Sequence, residues 1–294
     1  MKRLVLIDTN ALIHRGFHAI PPLTTKKGEL INAVYGFTAI LLKVIKDLKP
    51  DYILTAFDLP KPTFRHLEYK EYKANRPKTS NELVQQFPIV KKLLKVFDIP
   101  IYEKEGFEAD DVIGTITKKT GKDIEDIVVT GDLDTLQLVN KNTKVYTLKR
   151  GMTDTIIYDE EAVRERYEFE PEQLIDFKGL KGDPSDNIPG VPGVGEKTAI
   201  SLIKEFGNIE NLYKKLEKSE VKDMPESLKK KLLENKEQAI FSKRLATIRY
   251  DVPLKFRLED CRVGSYSHQE VVKLFQELDF KSLINRLPSR QMTL

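Results

Sequence analysis

The 294-residue sequence has no tryptophan, one cysteine and four histidines. The single cysteine, Cys261, excludes an internal disulfide and any zinc site built from several thiolates. The histidines, His14, His18, His66 and His268, lack the short spacings of a zinc site, and each reads as a structural or surface residue. No apolar run approaches the ~20 residues that a membrane-spanning helix needs, so no membrane partner is expected. The N-terminus, MKRLVLIDTN, starts like a secretion signal but meets Asp8 too soon to hold a hydrophobic region. It reads as a strand, and the cytoplasm is the expected compartment.

What is present is charge, at 32% of residues, with a net of only +4. Its distribution is uneven. Residues 60–80 hold six Lys or Arg against two Glu, and residues 214–236 hold eight Lys against five acids. A polyanionic partner suits these segments, although solvated helix faces also carry such runs. Short apolar runs recur at Arg3–Asp8, Tyr52–Asp58, Ile99–Tyr102, Asp126–Asp132 and Thr143–Leu148, with Thr155–Tyr158 as a further edge strand. Helical patterns lie between them, at Glu29–Leu48, Glu82–Phe97 and Asp110–Lys119. That alternation predicts an α/β fold with a mostly parallel central sheet flanked by helices. Beyond about residue 170 strand signals stop and short Lys-rich helices take over. The expected division is an α/β core over 1–178 and a helical region over 179–294. The last residues, PSRQMTL, read as a frayed end.

Several apolar runs end in acids, and ligands of open parallel sheets bind beyond the carboxyl ends of strands. Asp8, Asp58 and the pair Asp132 and Asp134 stand at such ends. The stretch GFEADDVIGT, residues 106–115, adds Glu108, Asp110 and Asp111, and the loop GDPSDN adds Asp183 and Asp186. Each cluster alone reads equally well as a helix N-cap or a charge on the helix macrodipole. Together they gather nine carboxylates on one rim, and such a group cannot stay ionised without cations. An all-oxygen set selects hard ions such as Mg²⁺ or Mn²⁺, and two of them form an apparatus for cleaving phosphodiesters. Glu108, Asp110 and Asp111 can all reach the rim only at the irregular entry of a helix, and the choice of Asp110 as the direct contact, with the other two in support, rests partly on a family resemblance.

Two further segments point to nucleic acid. IPGVPGVGEKTA, residues 188–199, places Gly190, Gly193 and Gly195 before a helix, where backbone amides can approach phosphate, with Lys197 beside them. It is similar to a helix–hairpin–helix, expected at about 188–206. In FRHLEYKEYKANR, residues 64–76, Arg65, Lys73 and Arg76 alternate with Phe64, Tyr69 and Tyr72. Cations interleaved with aromatic faces suit single strands, where stacking is worth ~1–3 kcal/mol per base.

With these strings in place, the chain resembles the bacterial 5′-nucleases, the flap-endonuclease family that also forms the N-terminal domain of DNA polymerase I. LIDTNALIHRGFHAIPPL, NAVYGF, FDLPKPTFRHLEYKEYKANR, GFEADDVIGT, VTGDLDTLQLV, GLKGDPSDNIPGVPGVGEKTA and FQELDFKSLINRLP carry the likeness. It implies a PIN-like nuclease core with a basic helical arch at about 60–80. It also implies metal-dependent cleavage of DNA with free 5′ ends or flaps, and of RNA primers at RNA–DNA junctions, in replication and repair. By motif, Asp8, Asp58 and Asp110 match the first metal group with Glu108 beside them. Asp132, Asp134 and Asp183 match the second, and Asp111 and Asp186 match a bacterial supplement. Lys73 and Arg65 match residues that steer the scissile phosphate, so that Lys73, Arg65, Asp58, Asp110 and Asp132 are the expected catalytic set. Tyr72 and Arg76 match the arch that clamps the single strand. K⁺ at the hairpin, a partner DNA polymerase, a monomeric state and a place at the bacterial nucleoid follow from the same resemblance. The chain stops where a polymerase I continues, which leaves a free-standing nuclease and an excised domain both open.

Overall fold

The computed structural model describes residues 1–150, 154–264 and 266–287; the PSRQMTL segment lies outside them. Six strands form one sheet, β1 (Lys2–Asp8), β2 (Tyr52–Ala56), β3 (Ile101–Tyr102), β4 (Ile124–Thr130), β5 (Thr143–Arg150) and β6 (Asp154–Tyr158), in the order β3-β2-β1-β4-β5-β6. All neighbours are parallel except β5 and β6, so the C-terminal edge strand is the antiparallel one. The strand order reverses at β1, which lies between β2 and β4. The crevice at the carboxyl ends of β1 and β4 is therefore the topological switch point where such sheets bind ligands.

β1 reads as an unbroken apolar run because both faces of the sheet are covered. The side chains still alternate. Leu4, Leu6, Leu54 and Val128 join one buried cluster, and Val5, Ile7, Ile53, Ile127 and Val129 join the other. The first cluster is roofed by helix Ala109–Lys119 and continues into the helical second part through Leu174, Phe177, Leu202 and Phe206. The second lies under helices Asn32–Leu48 and Phe87–Val96. Helix His268–Glu277 also packs there, through Val271, Leu274 and Phe275. The end of the chain, grouped by composition with the helical region, thus returns to the second face of the sheet.

The expected helix over Glu82–Phe97 is two pieces, Asn81–Val84 and Phe87–Val96, with Pro88 in the first turn of the second. Proline is accepted there because its missing N–H would have no helical partner. The expected start of the next-upstream helix at Glu29 moves to Asn32, because Thr24 and Leu30 close a small antiparallel bridge first. The basic segment 60–80 is also less helical than expected. Only Phe64–Glu68 is a helix, and turns follow, with Lys73 in the left-handed region at φ 54°.

In the second part, helix Leu174–Lys181 and helix Glu196–Phe206 flank the glycine hairpin. Gly179 lets helix Lys236–Ala246 press close: a Cβ there would lie 2.5 Å from Ile209 Cδ1 and 2.9 Å from Lys243 Cβ. Among the described residues, no helix is long and apolar enough to cross a membrane.

Candidate active site

The rim of β1, β2 and β4 opens into a cleft of about 310 Å³ lined by Asp8, Asp58, Glu108, Asp110 and Asp132, with Asn10, His14, Lys73 and Arg76. Asp8 ends β1 and caps helix Thr9–Ala19, its Oδ1 accepting from the Ala11 amide at 3.2 Å. Its other oxygen accepts from the Thr130 hydroxyl at 2.7 Å, and that hydroxyl oxygen accepts from the Asp132 amide at 3.0 Å. Thr130, at the end of β4, so ties the acids of the two switch-point strands together. Asp58 follows β2; its amide donates to Asn10 Oδ1 at 3.1 Å and its Oδ1 accepts from the Ala109 amide at 2.7 Å. Asp132 caps the 3₁₀ turn Leu133–Leu138 by accepting from the Asp134 amide at 2.9 Å. The helix-capping and cation-site readings of these acids are thus compatible: one oxygen caps while the group faces the cleft.

GFEADDVIGT divides in the same way. Glu108 is the N-cap of helix Ala109–Lys119 and turns its side chain to the cleft. Asp110 also faces in, and its Oδ1 is buried with no hydrogen-bond partner. Asp111 does not. It is fully buried, and its oxygens accept from Arg65 Nη1 at 2.7 Å, Arg65 Nη2 at 2.8 Å, the Glu108 amide at 3.0 Å and the Arg249 amide at 2.9 Å. Every acceptor site of Asp111 facing these groups is used, so it braces the helix entry rather than offering oxygen to an ion.

The carboxyls of the cleft repel one another. Burial raises Asp8 to about 7, with Asp58 adding to the effect. Asp110 is raised well above the ordinary range by burial first and then by Asp8, Asp132 and Asp58. Asp58 has an outer edge open to solvent, yet the desolvating walls of the cleft and the Glu108 charge still raise it. An orphaned buried oxygen and a set of mutually raised, oxygen-only donors fit a hard divalent cation.

Beside the cleft lies a second acidic group. Asp134, Asp183 and Asp186 each present an oxygen, all within 4.8 Å of one another. Lys178, from helix Leu174–Lys181, pairs with Asp134 and donates to Asp183 Oδ2 at 2.6 Å. Burial and the neighbouring Asp132 raise Asp134 to about 7, whereas Asp183 is lowered to about 2 by Lys178 and by hydrogen bonds from Ser185, which outweigh its burial. Asp186 is buried and faces the basic segment: it accepts from Tyr72 Oη at 3.1 Å, pairs with Arg76 and lies 3.7 Å from Lys73 Nζ.

The basic segment is folded down onto this loop. Lys73 Nζ reaches Glu108 Oε1 at 3.0 Å and its amide donates to the Asp186 carbonyl at 2.9 Å. Arg65 departs from its expected role. It is 3% exposed, and besides Asp111 its guanidinium donates to the carbonyls of Leu245 and Thr247 at 2.8 Å, so it has no free face for phosphate. Tyr72 departs likewise: it is buried against Ile188, Leu245 and Ala246, its hydroxyl shared by Glu108 and Asp186, and Lys73 Nζ lies 5.0 Å from its ring centre. Cations and aromatics that alternate in sequence here meet each other instead of an open strand.

In the hairpin, Gly193 (φ 78°), Gly195 and Lys197 are exposed. Gly195 caps helix Glu196–Phe206, with open space where a side chain would stand. Gly190 is not available: its amide donates to Ser242 Oγ at 3.0 Å, its carbonyl accepts from Gln238, and a Cβ would fall 2.2 Å from the Gly182 nitrogen. It serves the close approach of two chain segments. Sequence reasoning missed Thr130, Asn10, His14 and Lys178. Thr130, Asn10 and His14 lie within strings that carry the family likeness, and Lys178 stands four residues after Leu174 on the inward stripe of its helix.

Two family models cover most of the chain. Residues 3–168 match the 5′-3′ exonuclease N-terminal resolvase-like domain, and residues 169–269 match the 5′-3′ exonuclease C-terminal SAM fold. DNA polymerase I of Bacillus subtilis is 47% identical over 287 residues, spanning 97% of this chain and 32% of that protein. DNA polymerase I of Mycobacterium tuberculosis is 38% identical over 289 residues, 97% of this chain and 31% of that one. The chain therefore spans about a third of the length of these curated relatives. Among solved structures, a T5 5′-exonuclease with bound zinc superposes with a TM-score of 0.66 at 22% identity, over 95% of this chain and 99% of that one. The catalytic core of Rad2 in complex with a DNA substrate does so with a TM-score of 0.61 at 17% identity, over 94% and 87%. At these identities the likeness is one of fold.

Proposed function

The chain belongs to the 5′-3′ exonuclease family, and from that premise we propose that it hydrolyses phosphodiester bonds of DNA at free 5′ ends and 5′ flaps, using divalent cations held on the acidic rim. One observation carries the reading: Asp8, Asp58, Asp110 and Asp132 converge at the switch point, where the carboxyls of Asp8, Asp58 and Asp110 are raised and Asp110 keeps an unpartnered buried oxygen. Asp8, Asp58 and Asp110 would hold one ion, with Glu108 beside them. Asp132, Asp134 and Asp183 would hold another, and Mg²⁺ or Mn²⁺ suits both sets. Ions bound there would supply an ionised water as nucleophile and stabilise the leaving oxygen.

The protein's own groups account for the rest. Lys73, at the cleft beside Glu108, is the cation placed to meet the scissile phosphate and offset its developing charge. Arg76, half-exposed beside Asp186, is a second phosphate contact once its pair opens. The amides at Gly193 and Gly195 with Lys197 grip duplex phosphates without reading bases, and a K⁺ ion at the hairpin belongs to the same proposal. So do RNA-primer junctions as substrates, a DNA polymerase as partner, a monomeric state and a place in the cytoplasm at the nucleoid.

A fluorescent 5′-flap duplex tests this. With Mg²⁺ the flap is released, with EDTA it is not, and Asp58→Asn or Asp132→Asn abolishes release while flap binding persists. Full activity in either variant contradicts the cation assignment, and binding without cleavage in Mg²⁺ would mark a DNA-binding module.

A further inference from the structure

Lys178 is 9% exposed, and lysine is almost never buried so deeply without a partner. Its place in helix Leu174–Lys181 directs it inward, beside Leu174 and Phe177, into a pocket of about 230 Å³ that Asp134 and Asp183 also line. There the ammonium bridges the two acids, paired with Asp134 and 2.6 Å from Asp183 Oδ2. Asp183 is pre-set for this contact, because its other oxygen accepts from the Ser185 amide at 2.9 Å and the Ser185 hydroxyl at 2.7 Å. Asp134 and Asp183, the two acids that Lys178 spans, belong to the group whose members each offer an oxygen within 4.8 Å of the others, a donor spacing that a divalent ion could also use. An ammonium and a divalent cation cannot share these oxygens without strong like-charge repulsion in a poorly hydrated pocket.

We propose that Lys178 is the resident counter-ion of the second acidic group: it holds Asp134 and Asp183 together in the metal-free protein and must withdraw before a divalent ion can bind there. The inference rests on the cation reading of the rim given above. It makes the two ions unequal. In the first cleft the Lys73 ammonium pairs with Glu108 and leaves Asp110 Oδ1 without a partner among the described residues, so that site fills readily, whereas the second fills only against Lys178.

Mn²⁺ titration of the full chain without DNA, read by electron paramagnetic resonance, tests this. Wild type is expected to bind one ion at least tenfold more tightly than a second. Lys178→Met tightens the second at least tenfold and leaves the first unchanged. A second ion that binds the variant no more tightly than wild type overturns the inference while leaving the cation reading intact. No bound Mn²⁺ in either protein overturns both. Because Lys178→Met leaves two acids without their partner and can unfold, wild type supplies an independent arm. Amine acylation followed by peptide mass spectrometry should label Lys178 several-fold faster with saturating Mn²⁺ than with EDTA, against exposed Lys222 as reference. Equal or slower labelling with Mn²⁺ would show that the ammonium stays in place, and the inference fails.

Discussion

Asp8 and Asp126 lie on neighbouring strands, and burial raises both carboxyls, to about 7 and about 8. Asp8 faces a cleft with other acids and a hydroxyl donor. Asp126 is 2% exposed, away from the carboxyl ends of the strands, with an oxygen that finds no partner. A folded-state pKa above the unfolded value means that stability is complete below about pH 4 and is lost as pH rises toward the folded value. Wild type should therefore lose stability relative to Asp126→Asn between about pH 4 and pH 8, by at most about 5 kcal/mol at the upper end. Urea unfolding of both proteins at pH 5 and pH 9 measures it, and a constant gap between them would refute the assignment. Sequence gave no warning at Asp126, which sits in an apolar run like the strand-end acids. Asp8, Asp58, Asp110 and Asp132 were legible because parallel topology brings the ends of β1, β2 and β4 together, whatever their separation in the chain.

Among elements, the basic segment shows where sequence reading runs out. Its charge and aromatic content were plain, but whether Arg65 is free or consumed depends on carbonyls of Leu245 and Thr247, some 180 residues away. Asp111 is the same case, since the Arg249 amide that completes its shell cannot be inferred from GFEADDVIGT. The buried Arg65–Asp111 pair thus joins three elements: the helix Phe64–Glu68, the entry of helix Ala109–Lys119 and the segment after helix Lys236–Ala246. Removing one partner leaves an uncompensated buried charge, so Arg65→Ala should cost about 3–5 kcal/mol in urea unfolding. Arg65→Met with Asp111→Leu should lose less than the sum of the single changes. Strict additivity would show that the two groups do not act as a pair. Gly190 was misread for a related reason: glycine before a helix permits both approach to phosphate and approach to another backbone, and only the position of Gly182 separates them.

For the molecule as a whole, both hydrophobic clusters hold the sheet while the acidic rim works against it. Asp8 and Asp134 are raised to about 7, and Asp58 and Asp110 are raised as well. The sign is the same as at Asp126: in EDTA the thermal midpoint should fall as pH rises from about 5 to 8, as these groups are forced to ionise. Mg²⁺ binds the ionised form and should recover most of that loss at pH 8 and little at pH 5. A midpoint that Mg²⁺ leaves unchanged at pH 8 would mean that the rim does not bind the ion. The alternation of strands and helices made the layered sheet legible at this scale. The return of helix His268–Glu277 to its second face was not, because an amphipathic helix does not name the surface it covers. Flap cleavage in this reading requires a divalent cation held in the switch-point cleft by Asp110. Anomalous diffraction from a Mn²⁺-soaked crystal would locate that ion. A peak is expected in the cleft about 2.1 Å from Asp110 Oδ1, with Asp8 and Asp58 also ligating; a cleft without a peak, at Mn²⁺ levels that support flap cleavage, would rule out a cation held by Asp110.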